Sequence, residues 1–580
     1  MKSNFKRFGL AAAVSAVAAG YAGMADAQTS VSRAIGNLGD TAIIPYYTVQ
    51  DNWVTGVHII NTSAATQVVK LRLRRASDSA DALDFNLVLS PKDEWTGFID
   101  DSSGRVAFTT TDSSCTVPVR SDGVFTMPTI YEDGAEEGYI EVIGMGQPTS
   151  EAEPIAIFAK HTSAGSPVDC DAVASNFFAN LRLNSTGTGT EITATAKGNI
   201  SNALTHQTVT QPQATAVLTA AQIAGITATC VTAAGQPITL VPGVGASGSG
   251  VCQNDFLEAG NGLKVSYFFR DATAGTEMGG NAVHLDGFAS APWMTNQETG
   301  LFSSDVFGFD FPDLDGGPWV GLDGGATLRG QFDDLRAGDV LGVLEVLNDW
   351  SVAAARNVST DWVVTMPGQY TMVDFFVWLN ARLDPENCGV DDDGDLTPLC
   401  DYRDIPVVAD LTLYDREEAE VLPEEGDLVI SPAPPGEINQ LVFPYEVNVV
   451  EWTDGTTAPV LESEYAITVD PTVLGDFGWA SLSVESGRKD GGQQVCQWNP
   501  SANVVGTPSL SAEFDTDGER TGVCTPVTNP NVPITGFVAW QRSFPSNPDA
   551  NYGRLIDHSF VTSTGRSEER RVGKECRSRW

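Results

Sequence analysis

Val69-Lys70-Leu71-Arg72-Leu73-Arg74 and, after the polar turn Ser77-Asp78-Ser79, Leu83-Asp84-Phe85-Asn86-Leu87-Val88-Leu89 are the stretches that decide the fold. Apolar and polar residues alternate with period two, which is the period of a strand with one face on a core and the other in water. The two runs read as a hairpin ending at Ser90-Pro91. Lys70, Arg72 and Arg74 then stand opposite Asp84 as cross-strand ion pairs, a structural role rather than ligand binding.

Working outward, short apolar runs at 42–49 and 57–60 precede the hairpin, separated by Gln50-Asp51-Asn52. Further strands are expected at 263–269, 343–347, 362–366, 373–379, 441–450, 479–484 and 534–540. One short helix is expected over 171–183, where Ala172, Val173, Phe177, Phe178 and Leu181 share a face. Residues 186–250 shift to threonine, alanine, glycine and glutamine with no aromatic residue, the mark of an insertion.

The expected fold is therefore mostly β: several β-sandwich (Ig-like) domains with long loops, one Ala/Thr-rich insertion and few short helices. A boundary at Ser431-Pro-Ala-Pro-Pro435 divides the second half. The segments expected are an N-terminal β-sandwich at 28–183, the insertion at 184–255, a central β-rich domain at 256–430 and a C-terminal one at 431–565. No repeat of fixed period suggests a solenoid or propeller.

Both ends are set apart. Lys2, Lys6 and Arg7, a small-residue apolar stretch at 8–23 and Ala25-Asp26-Ala27 follow the grammar of a secretory signal peptide over 1–27. The apolar stretch is shorter and less leucine-rich than a spanning helix, and no later segment is long and apolar enough to span a bilayer. Residues 566–580 are basic, carry the lone Cys576 and resemble a non-native tail. The first 27 residues hold three basic and one acidic side chain, and the tail six and three. The body between them therefore carries 24 basic and 71 acidic side chains, a net charge of −47. Such a surface repels nucleic acid and anionic membranes and attracts divalent cations. It equally suits solubility in a saline habitat.

Eight cysteines remain, in neighbouring pairs: Cys115 and Cys170, Cys230 and Cys252, Cys388 and Cys400, Cys496 and Cys524. Each pair brackets a loop-like segment whose closure costs little entropy, so sequential disulfides are expected, in an oxidising compartment. Connectivity is open, since eight cysteines allow 105 pairings. The best constellation for chemistry is Cys388-Gly-Val-Asp391-Asp392-Asp393-Gly394-Asp395, closed by Cys400. Alternate aspartates Asp391, Asp393 and Asp395 around a glycine turn suit a structural calcium ion, which takes six to eight oxygens. A solvated acidic turn is the alternative, because the EF-hand pattern fails: no glutamate closes the loop at its twelfth position. Asp515 and Asp517, between Cys496 and Cys524, echo the arrangement, and Asp310, Asp313 and Asp315 form a third acidic cluster.

Other motifs point nowhere. Gly243-Val-Gly-Ala-Ser-Gly248 lacks the strand-to-helix context of a nucleotide site. The five histidines, His58, His161, His206, His284 and His558, show no metal spacing. His58 lies in an apolar run and reads as structural. Trp293 and Trp319 are candidates for stacking on sugars, with core packing the stronger reading.

Several segments resemble, in order, a family of uncharacterised exported proteobacterial cell-surface proteins. They are Ile44-Pro-Tyr-Tyr-Thr-Val49, Asn61-Thr-Ser63, the stretch 69–95, Thr360-Asp-Trp-Val-Val-Thr-Met-Pro367, Tyr414-Asp-Arg-Glu-Glu418, Pro444-Tyr-Glu-Val-Asn-Val449, Gly478-Trp479, Ile534-Thr-Gly-Phe537 and Tyr552-Gly-Arg-Leu555. The resemblance implies location and a β-rich body and supplies no catalytic residue. The expected function is structural or adhesive work at the cell surface or outside the cell, without a recognised catalytic site and with calcium as a stabiliser. Self-assembly or contact with a surface polymer or glycan fits that role. The alternative is a carbohydrate- or polymer-binding protein with a hydrolytic central domain, and a periplasmic location is the other possible destination.

Overall fold

The structure is a computed structural model and describes residues 31–77, 79, 81–127, 134–178, 256–289, 314, 340–367, 407–415, 420–421, 429–431, 440–471, 475–484, 489–490, 493–494, 496–499, 523–526 and 532–562. Among them the chain is mostly β, in separate and largely antiparallel sheets, with two short α-helices.

The first sandwich has two sheets. One runs β1 (Ser32–Arg33), β14 (Val283–Asp286), β2 (Thr41–Thr48), β10 (Glu137–Pro148), β4 (Gln67–Arg75), β5 (Asp81–Leu89) and β8 (Cys115–Val117), with β11 (Phe256–Leu257) on β10. The other runs β13 (Thr276–Asn281), β12 (Leu263–Asp271), β3 (Trp53–Asn61), β6 (Glu94–Asp100), β7 (Ala107–Thr109) and β9 (Val124–Thr126). Leu71, Leu73, Phe85 and Val142 from the first sheet meet Val57, Ile59, Trp95 and Phe269 from the second in one core. Phe85 carries much of the inter-sheet contact, stacked on Phe125 at 4.0 Å and tilted against Trp95 at 5.9 Å. The helices α1 (Pro154–Ala159) and α2 (Cys170–Phe178) close a smaller apolar patch with Val68, Val88, Val117 and Met145.

The second sandwich repeats the plan. One sheet runs β19 (Glu420–Val421), β18 (Val407–Tyr414), β24 (Phe477–Val484), β16 (Glu345–Ser351) and β32 (Ser559–Val561), with β21 (Gln440–Phe443) on β18. The facing sheet runs β20 (Val429–Ser431), β23 (Ala466–Asp470), β22 (Val447–Trp452), β17 (Val358–Thr365), β30 (Thr535–Arg542) and β31 (Tyr552–Asp557). Trp350 stacks on Trp452 at 5.7 Å across this core, and Trp362 leans on Trp452 at 5.2 Å. Three two-stranded ribbons complete the set: β15 (Gly342–Val343) with β29 (Val532–Pro533), β25 (Lys489–Asp490) with β26 (Gln493–Gln494), and β27 (Cys496–Asn499) with β28 (Val523–Pro526).

Strand pairing regroups the expected segments: β12, β13 and β14, placed at the start of a central 256–430 domain, hydrogen-bond into the sheets of the N-terminal one. Strands on both sides of residue 431 share the second sandwich. The run 441–450 is not one strand. Pro444 lacks the N–H a ladder needs, so the chain breaks there and β21 and β22 join opposite sheets.

The polar face of the hairpin is not in water either: Lys70, Arg72 and Arg74 are 1%, 0% and 4% exposed. Burial of these cations is offset by carboxylates on neighbouring strands. Lys70 and Arg72 reach Asp84 at 3.2 and 3.4 Å, as the alternation foretold, while Arg72 and Arg74 reach the fully buried Glu141 on β10 at 3.4 and 3.1 Å. The 373–379 run, residues 179–183 of the expected helix, the 1–27 leader and the 566–580 tail lie outside the described residues. No helix among those described is long and apolar enough to cross a membrane, which leaves β-barrels aside.

Candidate functional site

The two sandwiches meet along β17, β22 and β30 and through the loop that joins β22 to β23. β22 and β23 are parallel, so their connection must cross over rather than turn back. Residues 453–465 make that crossover, and its far end reaches the first sandwich. Asp361, fully buried on β17, anchors it: Oδ2 accepts the N–H groups of Val460 at 2.8 Å and Leu461 at 2.7 Å. The next residues dock on Glu137 at the head of β10. Glu137 Oε1 accepts the Glu464 N–H at 2.8 Å, and Oε2 accepts the hydroxyls of Ser463 and Tyr46. Val447 N–H donates to Ala76 O at 3.0 Å, and Thr365 Oγ1 to Pro45 O at 2.5 Å.

Apolar packing runs through the same junction. Val363, Val449, Phe537 and Ala539 project from the face of their sheet opposite the tryptophans, into the first sandwich's core. Phe537 lies 5.8 Å from Phe269 and 6.0 Å from Tyr267.

Beside this junction opens a cavity of about 650 Å³ lined by Gln50, Arg75, Ser77, Gly134 and Glu136 from the first sandwich and Glu464 and Tyr465 from the second. Tyr465 is held edge-on against Tyr445 at 4.9 Å. Gly134 has φ +72°, a conformation that favours glycine, and its missing side chain leaves room for the Tyr465 hydroxyl. An arginine, two carboxylates, an amide, a hydroxyl and one phenol ring make this a polar cleft.

Carboxylates crowd the junction from both sides. Burial, then repulsion from Glu462 and Glu137, pushes Glu451 up to about 7. Glu462 is raised chiefly by its hydrogen bond with Asp51 across the junction, then by burial and by the charge of Asp51 and Asp271. Burial raises Glu137 and takes Asp361 well above the carboxylate range.

The residues singled out by sequence distribute as follows. Cys115 and Cys170 form a disulfide, with Cα atoms 5.1 Å apart. Cys496 and Cys524 lie on the paired strands β27 and β28, Cys496 opposite Pro526 and Cys524 opposite Trp498. Asp391, Asp393, Asp395, Asp515, Asp517, Cys230, Cys252, Cys388 and Cys400 fall outside the described residues, as do Asp310, Asp313, Asp315, Trp293 and Trp319. Among the described residues no three or more His, Cys, Asp or Glu side chains are grouped to hold a metal ion.

His58 is half-exposed, edge-on to Phe268 and 4.0 Å from Glu94. His284 and His558 are buried structural residues, each pushed down to about 4 by burial. His284 Nε2 accepts the Val265 N–H at 2.8 Å while Nδ1 donates to Ala282 O. The cleft itself escaped the sequence reading, because its walls come from turns and a crossover loop that carry no periodic signal. Compared with family models, curated proteins and solved structures, the chain matches none of them.

Proposed function

We propose that this protein works outside the cytoplasm, as a structural or adhesive component at the cell surface or in the extracellular medium. The observation that carries this reading is the core continuous through both sandwiches, in which Phe537 and Val449 of the second pack against Tyr46 and Phe269 of the first. Such a body resists bending between its halves, as a surface scaffold must. The leader-like residues 1–27, the net charge of −47 and the Cys115–Cys170 disulfide support the location. Size-exclusion chromatography with light scattering on residues 28–565, with calcium and then with chelator, tests it together with cell fractionation. Calcium-dependent polymers in the surface or medium fraction are expected. A monomer under both conditions, or a cytoplasmic protein, overturns it.

Calcium belongs to the same proposal, through the sequence pattern Asp391, Asp393 and Asp395 and its echo at Asp515 and Asp517. Substituting the first three by asparagine together is expected to abolish a calcium-dependent rise in melting temperature. A rise of equal size in the triple variant removes that loop from consideration.

The polar cleft favours a second reading, binding of a glycan or other hydroxyl-rich polymer. It is measured as a glycan-dependent rise in melting temperature that Tyr465→Ala removes.

A further inference from the structure

Away from the junction, three polar side chains from distant parts of the chain converge where the loop after α1 lies over the first sandwich. Ser113 Oγ is 3.3 Å from His161 Nε2, and His161 Nδ1 is 3.4 Å from Asp93 Oδ2. The serine is exposed, the histidine 26% exposed and the aspartate 9%, so the set grades from solvent inward. We propose that Ser113, His161 and Asp93 form a nucleophile, general base and orienting carboxylate that hydrolyse carboxylic esters.

The geometry assigns each role. A serine hydroxyl is a weak nucleophile until a base takes its proton, and the base must present the correct ring nitrogen. Asp93 is held in place: Oδ2 accepts the Ser90 N–H at 3.0 Å and the Ser90 hydroxyl at 3.1 Å, while Oδ1 accepts the Glu94 N–H at 3.0 Å. Ser114 Oγ approaches Oδ1 at 3.5 Å. A carboxylate so fixed selects the tautomer with the proton on Nδ1 and leaves Nε2 as the acceptor facing Ser113. Burial raises the Asp93 carboxyl, while the imidazole and these hydrogen bonds act the other way.

The Ser113 hydroxyl has a second acceptor, Gly165 O at 3.1 Å, and Ser90 Oγ lies 3.5 Å from Nδ1. Rotation about the Ser113 side chain directs its proton to Nε2. The Cys115–Cys170 disulfide ties the serine-bearing segment to the chain that follows the histidine. Cys170 Sγ itself lies 3.9 Å from Ser113 O.

The reaction needs water and an ester. Ser113 Oγ bonds to the ester carbonyl carbon as its proton passes to His161 Nε2. The carbonyl–alkoxy bond then breaks and the alcohol leaves with that proton. Water attacks the acyl-serine, giving one proton to His161. Cleavage of the acyl–Oγ bond returns that proton to Ser113 and releases the carboxylic acid. An open site offers little shelter for a poor leaving group, so esters rather than amides are the substrate class. The acidic protein surface favours neutral or cationic esters over anionic ones.

The test treats the full chain with diisopropyl fluorophosphate and, separately, with p-nitrophenyl acetate. A single phosphoryl adduct on Ser113 by peptide mass mapping is expected, with ester turnover reduced at least tenfold in Ser113→Ala and His161→Ala. The melting temperature of Ser113→Ala should match the parent, since the serine is exposed. If the three residues only pin the loop, the variants shift melting temperature and leave turnover unchanged. That result overturns the proposal, as does an unlabelled Ser113 or a parent protein without turnover. The proposal goes beyond the surface role and does not depend on it: fractionation and light scattering judge location and assembly, labelling judges this site.

Discussion

Glu141 shows what a single buried charge does here. It is fully buried between Arg72 and Arg74 on the neighbouring strand, and those arginines are themselves nearly inaccessible. Its two partners explain why a carboxylate persists at a position that alternation would give to solvent. Removing one member of a buried ion group leaves the others without compensation in a medium that solvates them poorly. Glu141→Gln is therefore expected to lower folding stability by about 3–5 kcal/mol, measured by urea titration. Loss under 1 kcal/mol would mean that the arginines find other partners. Asp84, opposite Arg72 and named from sequence, is 14% exposed. Alternation revealed the Asp84 contact because the two runs adjoin in sequence. Glu141 lies 69 residues from Arg72, and no local pattern announces it.

Among the elements, β22 and the 453–465 crossover that follows it carry a pH response at the junction. The crossover carries Glu462 and Glu464 towards Asp51 and Glu137, and Glu462 repels Glu451 on β22. Burial lifts Glu451 from 4.5 to about 7, so between those values the folded chain holds a proton that the unfolded chain has released. Stability from this group is complete below pH 4.5 and is lost as pH rises through 7. Glu451→Gln removes the titration. The variant should melt higher than the parent at pH 8, equal it near pH 4.5, and show a flatter slope between. A parallel slope in the two proteins would place the pH dependence elsewhere. Period-two runs made β4, β5 and β12 readable, since each presents one side to a core. The crossover is irregular, and its role depends on where the other sandwich lies. The Ser113, His161 and Asp93 set is hidden for the same reason, the histidine lying 48 positions after the serine.

At the scale of the whole molecule, the fold class was legible from strand-sized runs and scarce helical periodicity, but the assignment of strands to sandwiches was not. Proximity in sequence favoured dividing the chain at 256 and 431, whereas β12 and β14 return to β3 and β2. The shared core predicts that the two sandwiches unfold together. Scanning calorimetry should show one transition covering both. Phe537→Ala, which empties the contact among Tyr46, Tyr267 and Phe269, should cost about 3–5 kcal/mol and separate the transition into two. Two transitions in the parent protein would refute the coupling.

The return of β14 to β2 also sets a clock. β2 ends at Thr48 and β14 begins at Val283, so a ribosome adding about 5–20 residues per second needs roughly 12–50 s to deliver the partner. Throughout that interval Thr41, Ala42 and Ile43 of β2, the residues that β14 covers, have one flank without its neighbour. A nascent chain with so apolar an open edge invites pairing with other chains. Cover over this edge during synthesis is therefore expected to raise the yield of folded chain, measured by refolding with and without a chaperone present.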